Sequence, residues 1–259
     1  MNFFIVDDIH LTYRIDGPDD APILVMVNSL GTNLRMWNPQ LPLLSRTFRI
    51  VRYDFRGHGT SDVPTEPFSI ERLGLDLLAL LDTLQIERAH ICGLSLGGMT
   101  ALWLSAYYPD RVNRAVFANT AARIGTVEMW NARIEAVRTG GMAAIQDTSL
   151  ARFFSEAFRR NHPDVVQRFG EILAAINPQG YIEACTALRD ADLHDMLSAI
   201  HAPSLILVGE LDPATPPSQS RELHSAIPGS ELVIFPQVAH LSNVEQPEEF
   251  SKSVLNFLK

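Results

Sequence analysis

The stretch ICGLSLGG, Ile91 to Gly98, sets one serine between glycines two residues before and two residues after it, directly behind an apolar run. Such a turn is either flexible spacing or room made for a strained residue. Gly93-Leu94-Ser95-Leu96-Gly97 fits G-x-S-x-G, with an apolar strand-like segment before it (AHICGLS, 89–95) and a helix-like segment after it (SLGGMTALWLSAYYPD, 95–110). A serine on a sharp strand-to-helix turn sits at an unfavourable backbone angle where neighbouring side chains would collide, and glycine at both flanking positions removes the Cβ atoms in the way. The turn therefore predicts a nucleophilic Ser95 rather than an idle one.

Working outward, PILVMVNS (22–29) and RIVRYDF (49–55) join 89–95 as apolar runs that alternate with segments of helical period. This is the pattern of parallel strands joined by crossover helices, so the fold class is α/β, a mostly parallel central sheet flanked by helices. Leu73, Leu77, Leu80, Leu81 and Leu84 recur at helical spacing behind Ser69, which stands where an N-cap belongs. Pro109 stops the helix that follows the elbow, and RVNRAVFANT (111–120) reads as the next strand. From about Gly125 to Ile200 the alternation breaks into a helical, strand-poor stretch. It resumes with PSLILVGEL (203–211), a helix near 216–226, ELVIFPQV (231–238) and a last helix near 247–258. The expected organisation is a core of residues 1–124 and 200–259 with an inserted helical cap, 125–199, over the strand ends where such sheets build their sites. The opening IVDDIHLTYRIDGPDD alternates like an antiparallel hairpin and is expected to cover the sheet edge.

At 259 residues and 46% hydrophobic, the chain can bury one large core. No apolar run approaches the roughly 20 residues of a membrane span, and MNFFIVDDIH lacks a basic n-region, so a cytoplasmic location is expected. The net charge of −9 argues against a nucleic-acid partner, and it means that an anionic ligand would need a local cation. The two cysteines, Cys92 and Cys185, form neither a disulfide framework nor a metal-site pattern and read as packing residues.

A serine hydroxyl needs a base within hydrogen-bond reach and a carboxylate to hold that base in the right tautomer, in the chain order serine, acid, histidine. Of eight histidines, only His240 follows a final strand, in VAHLSNVEQP; His58 lies on the earlier loop FRGHGTSD, and it and the other six read as surface or packing residues. For the acid, the loop after PSLILVGEL carries Glu210 and Asp212. Asp212 is preferred because Glu210 lies two residues nearer the strand; the corresponding place after the preceding strand holds Asn119, and Asp54 precedes the serine. An oxyanion hole needs two backbone N–H groups, one from the residue after the serine, Leu96, and one from the loop after an early strand, where VNSLGT (27–32) offers Leu30. Neither a metal nor an organic cofactor is required by this chemistry.

With these residues in hand, the chain resembles the α/β-hydrolases from end to end, and among them it is similar to the 3-oxoadipate enol-lactonases of the β-ketoadipate pathway of aromatic catabolism. The words that carry the narrower resemblance are NSLGT, YDFRGHGTSD, CGLSLGGMTALWL, ANTAARIGTVEMWNARI, GYIEACTALRDADL and VAHLSNVEQP. Asn28-Ser29-Leu30-Gly31 departs from the His-Gly-x-Gly of many α/β-hydrolases and resembles the enol-lactonases there. The resemblance implies a small anionic lactone as substrate, a five-membered enol-lactone bearing an acetate side chain. It makes Arg133 the candidate cation, with Trp130 one helical turn earlier packing on the ring. Competing readings keep the triad and change the pocket, a general carboxylesterase or a cofactor-free perhydrolase, or keep the fold as a slow ligand-binding receptor. Haloalkane dehalogenation is disfavoured because it needs a carboxylate nucleophile where this chain has Ser95.

Overall fold

A computed structural model describes residues 2–259. The first half runs β1 (Asn2–Val6), β2 (Ile9–Asp16), β3 (Ile23–Val27), α1 (Leu41–Leu44), β4 (Arg49–Tyr53), α2 (Ile70–Thr83), β5 (Ala89–Leu94), α3 (Leu96–Tyr107) and β6 (Val112–Ala118). A purely helical stretch follows: α4 (Val127–Gly140), α5 (Gln146–Phe153), α6 (Glu156–Asn161), α7 (Pro163–Ala174) and α8 (Pro178–Asp190). The chain closes with β7 (Ser204–Gly209), α9 (Pro217–Ala226), β8 (Glu231–Phe235), α10 (Ser242–Glu245) and α11 (Pro247–Leu258).

The eight strands form one sheet in the order β1-β2-β4-β3-β5-β6-β7-β8. Only the hairpin β1–β2 and its junction with β4 are antiparallel; every other pair is parallel. The hairpin turns on Asp7 and Asp8 at φ of 50° and 63°, the left-handed backbone that a two-residue turn matching the sheet twist demands. Because β3 to β8 all point the same way, their C-terminal ends share one edge. The register levels that edge, with Val27 beside Gly93, Leu94 beside Ala118, Ala118 beside Leu207 and Gly209 beside Phe235.

Alternation along β3 divides the core. Leu24 and Met26 face one layer with Phe250 and Val254 of α11, while Val25 and Val27 face the other with the α2 stripe, Leu73, Leu77, Leu80 and Leu81. All four stripe leucines are buried, each worth roughly 1.5–3 kcal/mol against exposure, and Ser69 caps the helix by accepting from Arg72 N–H. Sequence periodicity missed the α10 turn and a 3-10 segment, Leu34–Gln40, both too short to show a helical period. No helix among the described residues is long and apolar enough to cross a membrane.

The helical stretch between β6 and β7 lies on the strand-end edge. A Cβ on Gly31, in the loop after β3, would meet Leu173 of α7 at 2.9 Å, and Phe153 of α5 and Tyr181 of α8 at 3.4 Å. Gly57 and Gly180 touch backbone to backbone, so that the start of α8 rests on the loop after β4. Leu241 N–H, next to His240, donates to Phe153 O at 2.9 Å. These close approaches roof the edge.

Candidate active site

Ser95 occupies the turn between β5 and α3 at φ 59° and ψ −117°, a backbone conformation that costs a non-glycine residue energy and is held by its surroundings. Its N–H donates to Ala118 O at 3.0 Å, and its carbonyl accepts from Thr120 Oγ1 at 2.8 Å. A Cβ on Gly93 would stand 2.1 Å from Gly97 O, and one on Gly97 would stand 2.2 Å from Val27 O. The glycines are thus imposed by the close approach of three backbone segments, as the G-x-S-x-G spacing implied.

Asp212 follows β7, and His240 follows β8. The two meet: His240 Nδ1 donates to Asp212 Oδ2 at 2.8 Å, and both are almost fully buried. The carboxylate accepts four further hydrogen bonds, from Ala214 N–H and Thr215 N–H on Oδ1 and from Asn119 Nδ2 and Thr215 Oγ1 on Oδ2. Burial raises its pKa, yet His240 and these donors outweigh burial, and the net shift is downward. It therefore stays ionised and fixes His240 with Nδ1 as the donor, leaving Nε2 as the free acceptor. Glu210, the alternative acid, sits at the surface accepting from Gln237 N–H at 3.0 Å. Asn119, at φ 44° after β6, supports Asp212 rather than replacing it. Among the described residues no hydrogen bond joins Ser95 to His240; the two lie on loops of the same buried edge, and such contacts commonly tighten only with substrate.

Leu30 and Leu96 are buried. Neighbouring N–H groups are engaged, Ser29 with Met36 Sδ, Gly31 with His58 Nε2 and Gly97 with Asn28 O, whereas those of Leu30 and Leu96 donate to nothing among the described residues. Unpaired N–H groups on buried residues are rare, and here one lies on the residue after the serine, at the start of α3, and the other on the loop after β3.

Trp130 is buried in α4 with its indole N–H donated to Ile124 O at 2.6 Å. Arg133, one turn on, donates Nε to Tyr181 hydroxyl at 2.7 Å and Nη2 to Ser149 Oγ, with its guanidinium 5.6 Å from the centre of the Tyr181 ring. Burial first, and then the neighbouring Cys185 thiol, push Tyr181 up to about 12, so it remains a neutral phenol.

Three supporting residues escaped the sequence. His58 is buried, and burial lowers its pKa to about 4, so it stays neutral; Nε2 accepts from Gly31 N–H and Nδ1 faces Arg56 O, fixing the loop that carries Leu30. Glu245 accepts from Ser155 N–H, Ser155 Oγ and Ala239 N–H, tying the His240 loop to the start of α6. Arg152, near the end of α5, has a buried Nε with no partner. None has a local sequence signal: the partners of His58 and Glu245 include residues distant in the chain, and the lack of a partner at the Arg152 Nε is set by packing. A groove of about 990 Å³ opens between α7 and the 34–40 segment, but none of Ser95, Asp212 or His240 lines it.

Residues 22–247 match the family model described as the alpha/beta hydrolase fold. The chain is 42% identical over 249 residues to 3-oxoadipate enol-lactonase 1 of Acinetobacter baylyi, covering 96% of this chain and 93% of that one. It is 40% identical over 252 residues to 3-oxoadipate enol-lactonase 2 of the same organism, covering 97% and 94%. The crystal structure of the enol-lactonase from Burkholderia xenovorans LB400 superposes with a TM-score of 0.97 at 42% identity, covering 99% of each chain.

Proposed function

From the premise that this chain belongs to the α/β-hydrolase family, we propose that it hydrolyses 3-oxoadipate enol-lactone to 3-oxoadipate through an acyl-enzyme on Ser95. The observation that carries the reading is the buried Asp212–His240 pair on the same sheet edge as a serine held at positive φ. The likeness to enol-lactonases over nearly the whole chain supports the choice of substrate.

In this reading His240 Nε2 takes the proton as Ser95 Oγ attacks the lactone carbonyl, and Asp212 stabilises the imidazolium that forms. The unpaired N–H groups of Leu30 and Leu96 receive the oxyanion of the tetrahedral intermediate. Collapse breaks the ring C–O bond and expels an enolate, which takes the proton from His240 and tautomerises to the ketone. An enolate leaves far more readily than an alkoxide, and ketone formation draws ring opening forward. Water, deprotonated by His240, then attacks the acyl-enzyme, and its collapse returns the proton to Ser95 and releases the second carboxylate of the product. Arg133 supplies positive charge for the acetate arm of the substrate, and Trp130 packs beside the ring.

The test is loss of 3-oxoadipate enol-lactone with purified protein, alongside a panel of simple esters, with Ser95→Ala as the blank. Turnover of the lactone should exceed that of the esters, and Ser95→Ala should lower kcat roughly 10⁴- to 10⁶-fold. Equal turnover of esters would favour a general esterase, and activity surviving in Ser95→Ala would overturn the mechanism.

A further inference from the structure

The helical stretch above the site carries many arginines, and most are neutralised. Arg138 pairs with Glu135, Arg160 with Glu156, Arg168 with Asp164 and Arg189 with Asp190. Arg133 and Arg152 take part in no ion pair among the described residues. Arg133 spends Nε and Nη2 on two neutral hydroxyls, Tyr181 and Ser149. Arg152 and Arg159 each hold a buried Nε with no hydrogen-bond partner and make no ion pair among the described residues, and of the two it is Arg152 that feels the Arg133 charge.

Their positions converge on the catalytic edge. Ser149, which receives Arg133, lies three residues before Arg152 on the same helix, so one turn of α5 brings both guanidinium groups to one region. Phe153, the next residue, accepts the N–H of Leu241 beside His240, and its ring meets Gly31 of the oxyanion loop. Tyr181, the other partner of Arg133, meets Gly31 as well. Burial first, and then the Arg133 charge, hold the Arg152 guanidinium below its usual range, while Asp212 is among the groups pulling the other way. A chain of net charge −9 has thus kept two like charges close together under a roof without a carboxylate between them. Both side chains are half-buried, with the Arg152 Nε fully so; a charge drawn partly out of water without a countercharge costs stability, and a ligand that supplies the countercharge relieves that cost.

We propose that Arg152 is a specificity-determining residue that binds the carboxylate of the substrate, with Arg133 as the second donor, so that the site selects anionic lactones over neutral ones. The proposal rests on the lactonase reading for its substrate, while the anion site rests on the two arginines. Arg133, held by Tyr181 and Ser149, is pre-aligned and keeps Nη1 for the ligand. Arg152 brings its full charge and an uncommitted Nε.

The experiment compares the acetate-bearing enol-lactone with its neutral analogue, the same ring carrying methyl in place of carboxymethyl, on wild type, Arg152→Met and Arg152→Lys. Arg152→Met should lose about 100-fold in kcat/KM on the anionic lactone, mostly through KM, and less than about 3-fold on the neutral one. Arg152→Lys should recover part of the loss. Thermal unfolding of Arg152→Met should occur at or above the wild-type temperature, since removing a half-buried charge that has no countercharge relieves a cost. Equal losses on both lactones, or an unchanged anionic rate, would overturn the proposal. Should wild type fail to open the anionic lactone, the lactonase reading falls, and calorimetric titration with adipate judges the anion site separately. Binding to wild type that weakens at least tenfold in Arg152→Met upholds it; no binding, or equal binding, overturns it.

Discussion

Replacing Asp212 by asparagine keeps the shape and removes the charge, and the hydrogen bonds around the carboxylate allow the consequence to be worked out. Oδ1 accepts from Ala214 N–H at 2.8 Å and Thr215 N–H at 3.0 Å. Oδ2 accepts from Asn119 Nδ2 at 2.9 Å, Thr215 Oγ1 at 2.7 Å and His240 Nδ1 at 2.8 Å. An asparagine has one acceptor oxygen for these two clusters. Facing the two backbone N–H groups, it turns its NH₂ toward Asn119 and His240, where donor would meet donor. The Thr215 hydroxyl can rotate to accept. Asn119 can turn over only by giving up its 3.3 Å bond to Ala239 O and the hydrogen bond that its Oδ1 accepts from Ser242 Oγ. His240 can relieve the clash only by moving its proton to Nε2, and that nitrogen can then no longer receive a proton from Ser95. The opposite orientation of the amide satisfies His240 but sets NH₂ against two fixed backbone N–H groups, at about 1–3 kcal/mol for the unpaired buried donors. The wrong tautomer therefore dominates. Asp212→Asn should fold and should lower kcat about 10⁴-fold, about 5.5 kcal/mol of transition-state stabilisation, with KM within about 3-fold of wild type. Steady-state kinetics on the enol-lactone and a thermal melt measure both quantities. A kcat loss below about 100-fold, or a KM that rises in step, would refute the idea that this carboxylate acts by setting the histidine tautomer.

Other consequences follow from the supporting residues. Glu245→Ala leaves Ala239 N–H and Ser155 N–H without their acceptor, so it should cost about 1–3 kcal/mol in urea unfolding and lower kcat by loosening the His240 loop. Glu245→Gln keeps that acceptor oxygen and should lie near wild type in both measurements. His58 titrates at about 4 in the fold against an ordinary value of 6.5. The unfolded chain therefore binds the proton first, and stability is flat above pH 6.5 and lost as pH falls from 6.5 to 4, by on the order of 3 kcal/mol from this residue. His58→Asn should flatten that part of the curve; an unchanged slope would remove His58 as its source.

Much of the architecture is legible in the chain because it depends on local pattern. The apolar runs that became β3 to β8 alternate with helical periods, and the stripe Leu73, Leu77, Leu80 and Leu81 is buried as its spacing implies. The elbow is legible because steric exclusion at Ser95 forces glycine at 93 and 97 whatever the remainder of the fold does. Asp212 and His240 could be chosen from competing acids and histidines because parallel strands deliver their following loops to one edge. The supporting residues were not legible for the converse reason. His58 reads as an ordinary loop histidine until Gly31 N–H is found 3.3 Å from its ring, and nothing in the sequence around Arg152 singles it out.

The order and spacing of Ser95, Asp212 and His240 thus follow from one-dimensional pattern, since strand direction and glycine sterics act over a few residues at a time. Whether a charge has a partner is a different kind of fact. It depends on which groups lie within a few ångströms after helices far apart in the chain have packed, because the cost of a charge is set by burial and by its nearest neighbours. Only the packing of α4, α5 and α8 against one another left the Arg152 Nε unpaired and engaged Arg133 with Tyr181 and Ser149. The residues of the proposed chemistry at the strand ends are therefore legible along the chain, and the charge proposed to select its substrate emerges only in three dimensions.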